Sequence, residues 1–99
     1  MDVVIEFIFR KKLYRGSMLL EDSEFPCLVF VFVRDEELVK EFGDEIILKT
    51  DFENLLPKKD DYPELIELRK TVFAIAKNTE RFLQAKQKWQ AGLKANNKP

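Results

Sequence analysis

The sequence predicts an α+β fold, a mainly antiparallel sheet of about four strands with a long or broken C-terminal helix packed on one face. Three observations carry this. Apolar residues alternate with period two through the first half of the chain, and they change to a helical period from Pro63 onward. No repeat, linker or low-complexity tract divides the 99 residues, too few to enclose two separate cores, so residues 1–95 are expected to form a single domain and residues 96–99 a frayed polar tail.

The first strand is Val3–Arg10, where Val3, Ile5, Phe7 and Phe9 share one face and Val4, Glu6, Ile8 and Arg10 the other. Leu13–Glu21 continues the alternation, which makes a hairpin turning near Lys11–Lys12. Two lysines are poor residues for the positive φ of a tight primed turn, so a looser loop, or a bulge at Gly16, is expected. Asp22, Ser23, Glu24 and Pro26 interrupt the pattern. Cys27–Val33 is β-branched or aromatic on both sides and belongs in the middle of a sheet. Arg34–Phe42 fits a short helical turn ended by Gly43, Glu45–Thr50 is a further strand, and Asp51–Asp61 is a loop.

From Pro63, the residues Leu65, Leu68, Val72, Ile75, Thr79, Phe82, Lys86, Trp89 and Leu93 recur at spacings of three and four. Asp60 and Asp61 are expected to cap the start, with Pro63 in the first turn. An unbroken helix to Lys94 would measure about 48 Å at 1.5 Å per residue. That exceeds the ~30 Å breadth of a domain this size, so a break at Asn78–Thr79, two residues that cap helices, is favoured. Leu68, Val72 and Ile75 are expected to pack against the Phe7/Phe9 face.

The side-chain inventory argues against catalysis. The chain has no His, one Cys, and three glycines far apart, which excludes an imidazole-based triad, Cys/His zinc and a glycine-rich phosphate loop. Cys27 lies in an apolar run and is expected to be buried and inert. The acidic clusters Asp35–Glu37 and Asp60–Asp61 suit helix starts and do not match an EF-hand loop. The reading is therefore no enzyme, no cofactor and no metal. The longest apolar stretch, Phe25–Val33, contains Pro26 and falls short of the ~20 residues of a membrane span, and the N-terminus lacks a secretory pattern. No membrane association is expected, and the cytoplasm is the expected location.

Charge is unevenly distributed. Residues 1–67 hold nine basic and seventeen acidic side chains, whereas residues 68–99 hold eight basic and one acidic. The structural explanation is a basic helix lying over an acidic sheet rim, in accord with the helix dipole. The functional alternative is nucleic-acid binding by the basic C-terminal helix, through Arg69, Lys70, Lys77, Arg81, Lys86, Lys88, Lys94 and Lys98. It ranks second because no known reader pattern accompanies it.

One helical layer cannot cover both faces of a sheet, so Val4, Ile8, Leu19, Ile47 and one side of the Cys27–Val33 strand are expected on an uncovered face, unless the segments 34–43 and 51–61 fold back over it. Phe82, Lys86, Trp89 and Leu93 continue the helix stripe beyond the body and form a second candidate surface. The functional expectation is a small non-enzymatic protein-interaction module, self-associating as a homodimer or holding an unknown protein partner.

Overall fold

The alternation read from the sequence builds four strands: β1 (Val3–Phe9), β2 (Lys12–Glu21), β3 (Cys27–Val33) and β4 (Glu45–Thr50). They form one antiparallel meander in chain order, β1-β2-β3-β4. The protein is described by a computed structural model covering the backbone of residues 3–58 and 62–96 and the side chains of residues 3–58 and 62–92. Three helices complete the α+β fold: α1 (Glu36–Phe42), α2 (Pro63–Ala76) and α3 (Glu80–Asn96). The last reaches Asn96, one residue into the expected tail, and residues 97–99 lie outside the described residues.

One sheet face is buried over most of its length, with only Val3 and Lys12 at its ends less covered. Ile5, Phe7 and Phe9 of β1 lie beside Tyr14, Met18 and Leu20 of β2, then Val29 and Val31 of β3, and Ile46 and Leu48 of β4. The hairpin departs from expectation. Phe9 pairs with Lys12, so the turn holds only Arg10 and Lys11, both at positive φ (52° and 66°). Contacts around the turn account for these residues: the Arg10 guanidinium lies over the Phe9 and Phe42 rings and pairs with Glu41 at 2.6 Å. The expected bulge at Gly16 is also absent, since the ladder runs unbroken through the Ile5–Gly16 and Gly16–Val33 pairs.

Gly16 is there for space. A Cβ at this position would meet the Phe32 carbonyl oxygen at 2.9 Å and Val31 Cγ1 at 3.0 Å, and a backbone oxygen in a central strand cannot easily retreat. Gly16→Ala is expected to destabilise the fold by about 1–3 kcal/mol through this overpacking. Urea denaturation checks it, and a raised midpoint would mean the strands separate there at no cost.

The C-terminal helical stretch breaks where two capping residues meet. Asn78 N–H and Thr79 N–H donate to the carbonyls of Ile75 and Ala76 at 3.1 Å each, closing α2 with a tightened turn. Thr79 Oγ1 then accepts from Phe82 N–H at 3.3 Å and opens α3. The start of α2 differs from expectation: its cap position is Tyr62, with no side-chain cap bond, and Asp60 and Asp61 lie outside the described residues. Leu68 and Val72 are buried as expected, but Ile75 is 38% exposed. The inward residues of α2 are Leu68, Arg69, Val72, Phe73 and Ala76, so spacings of four end the stripe on Ala76 and turn Ile75 outward.

After the break, α3 folds back. Phe82 is 1% exposed and Ala85 is buried, while Trp89 stacks on Phe25 (5.2 Å) and Phe52 (5.5 Å). The loop after β4 supplies Phe52. Asp51 Oδ1 accepts from Glu53 N–H (2.9 Å) and Asn54 N–H (2.7 Å), and buried Thr50 Oγ1 donates to the Asn54 carbonyl (2.6 Å), turning Phe52 inward at φ 74°.

Candidate association face

The residues that alternate with the core emerge on the other side of the sheet. Val4 and Ile8 of β1, Leu13 and Leu19 of β2, Phe32 of β3 and Ile47 of β4 are all exposed, and Leu28 and Phe30 are half-buried. Of the two segments that were expected as an alternative cover, 34–43 does not lie over them, and the other is described only as far as Lys58. Leu38 of α1 is in the core, and Phe42 packs edge-on against Phe9 of the buried face. The loop from Asp51 carries Phe52 to the helical side. Its last described residues, Pro57 and Lys58, reach the β4 side of the open face, where with Leu28, Ile47, Lys49 and Arg69 they line a cavity of about 250 Å³.

Strand register sets the layout of this open face. Leu19, Phe30 and Ile47 form one cross-strand row. Two residues away in one direction lie Val4, Ser17, Phe32 and Glu45, and two away in the other lie Glu21, Leu28 and Lys49. Small Ser17 between Val4 and Phe32 leaves a depression of about 350 Å³, bordered also by Arg15 and Arg34. Glu6 and Arg15 approach at 3.5 Å. Arg34, Glu45 and Lys49 have no ion-pair partner among the described residues.

The expected surface on the distal helix requires correction. Phe82 belongs to the core, packed against Phe52 and Phe73, because the break at Asn78–Thr79 lets α3 return to its own body. Trp89 is half-buried between two rings, and Lys86 pairs with Glu53 at 3.1 Å. The side chain of Leu93 lies outside the described residues. Thus Val4, Ile8, Leu19 and Ile47 share one exposed surface, and Phe82, Lys86 and Trp89 do not join it. Leu28, Phe30 and Phe32 complete that surface and were missed as candidates. One side of Cys27–Val33 was expected on this face, but with both of its sides apolar the sequence did not say which residues form it.

The basic helix does lie over acidic groups. Arg81 makes two bonds to Asp22 (3.3 and 3.4 Å), and this guanidinium holds the Asp22 carboxyl below its ordinary range. Asp35 and Asp51 are lowered as well, chiefly by the Leu38 and Asn54 amides that they accept. A carboxyl whose folded pKa is depressed stabilises the fold above its unfolded pKa and loses that contribution as pH falls through the folded value. Stability is therefore expected to decline below the ordinary Asp value of 3.8, and less steeply in Asp22→Asn, as measured by denaturation midpoints across acid pH. Burial pushes the Cys27 thiol in the opposite sense, up to about 11.

Comparison with protein-family models, with curated proteins and with solved structures returns no match.

Proposed function

We propose that this chain is a non-enzymatic protein-interaction module that holds a protein on the open face of its sheet. The observation that carries this reading is the contiguity of Val4, Leu19, Leu28, Phe30, Phe32 and Ile47 on one uncovered surface. A continuous apolar face rimmed by charge is what association sites present. The side-chain chemistry supports the non-enzymatic half, since the chain lacks His and its one thiol is buried and protonated at neutral pH.

Charge on the face favours protein over nucleic acid. Glu6, Glu21 and Glu45 balance Arg15, Arg34 and Lys49, which gives a polyanion no net attraction. On the helical side Arg69 is buried, and Arg81 and Lys86 are already paired.

A photoreactive side chain in place of Ser17, compared with one in place of exposed Lys77 on the helical side, tests the reading in native cells. Discrete protein adducts from position 17 but not from 77 are expected. Adducts from neither, or from 77 alone, would overturn it.

A further inference from the structure

We infer that the occupant of the open face is a second copy of this chain, related by a two-fold axis running along the row Leu19, Phe30 and Ile47. The inference rests on the open face being an association surface, and it adds the partner and its register. An axis lying in the interface along that row brings the row onto itself. It exchanges the two flanking rows, so each residue on one side meets its counterpart from the other side.

The exchange produces chemical matches that the register does not require. Phe32 meets the second copy's Leu28, aromatic on aliphatic. Glu45 meets Lys49, two charges at the same end of the rows with no ion-pair partner among the described residues of their own chain. Glu21, whose Oε1 accepts from Ser23 N–H and Oγ in its own chain, faces Ser17, beside the depression of about 350 Å³ that Arg15 and Arg34 border, so its carboxylate adds a negative charge near a basic hollow. Each match occurs twice by symmetry, as a self-complementary interface demands. Aligned sheets pack face to face about 10 Å apart at about 30°. That angle leaves residues one step from the axis within reach of Glu and Lys side chains. The result is a four-layer arrangement, helix, sheet, sheet, helix, in which the three central rows of each open face are covered, while Ile8 and Leu13, three rows from the axis, stay outside the contact.

Sedimentation equilibrium on the full chain at tens of micromolar tests this. Wild type is expected to be a dimer. Glu45→Lys and Lys49→Glu each replace two attractions by two repulsions and should each raise the dimer Kd by about tenfold or more. Mixed in equal amounts, the two variants should dimerise with each other, because both cross contacts are again between opposite charges. Both residues are exposed, so thermal midpoints of the separate variants at a concentration where wild type is monomeric report whether each still folds. A wild-type dimer lost in Ile47→Lys, but with a mixture no tighter than its components, overturns this two-fold axis and leaves the association face. A monomeric wild type with position-17 adducts to a different protein, or an open face saturated by single-stranded nucleic acid, overturns the second copy. A dimer unaffected by Ile47→Lys overturns both the inference and the face.

Discussion

Phe82→Ala is expected to destabilise the protein by about 3–5 kcal/mol, the usual cost of emptying a buried aromatic site. The ring is 1% exposed, tilted against Phe52 at 5.7 Å and edge-on to Phe73 at 6.0 Å. Its removal leaves two rings from different elements facing a void, and neither the β4 loop nor α2 can close it without giving up its own contacts. Small domains are stable by only about 5–15 kcal/mol, so much of the margin would be lost. Urea unfolding followed by Trp89 fluorescence checks it. An unchanged midpoint would mean that α3 does not return to the body.

The second large effect comes from neighbouring residues. Ile46 is 3% exposed on the core face and Ile47 is 45% exposed on the open face, although the sequence reads Ile-Ile. Ile46→Lys would put an ammonium in the apolar core, beside Val31 of the paired strand, without a partner, which costs several kcal/mol and is expected to abolish folding. Ile47→Lys is expected to change the stability of the monomer by no more than about 0.5 kcal/mol, as surface changes usually do. Far-ultraviolet circular dichroism of the two purified variants distinguishes them. A folded Ile46→Lys, or an unfolded Ile47→Lys, would mean the register of β4 is shifted by one residue.

This pair shows what was and was not legible in the sequence. Alternation in Val3–Phe9 and Lys12–Glu21 named the core face directly, because each strand has one side markedly more apolar than the other. Cys27–Val33 has no such asymmetry, so it was readable as a central strand with one side on the uncovered face, but which side was not readable. Strand order assigned it: pairing β3 between β2 and β4 places Phe30 beside Leu19 and Ile47. The helical stripe was readable in composition but not in phase. Periodicity alone continues Val72 to Ile75 and Phe82 to Leu93, whereas Thr79 restarts the helix and its neighbours turn with it. The inward turn of Phe52 was hidden for a different reason. It depends on Asp51 and Thr50 bonding to backbone groups within a loop, a local competition that hydrophobic pattern does not register. The tight Arg10–Lys11 turn likewise depends on contacts with Glu41 and Phe42, remote in sequence.

The thiol reactivity of Leu19→Cys as a function of protein concentration tests the central claim most directly, that the second face of the sheet is open in one chain and covered on association. Leu19 lies in the row that meets itself across the inferred axis, and Cys27 is fully buried with its thiol pushed up to about 11, so the introduced thiol dominates the signal. The expected result is modification at the rate of an unhindered thiol in dilute solution, slowing as concentration rises through the association range. Slow modification at every concentration would show that the chain covers this face itself, and fast modification at every concentration would show that no second copy does.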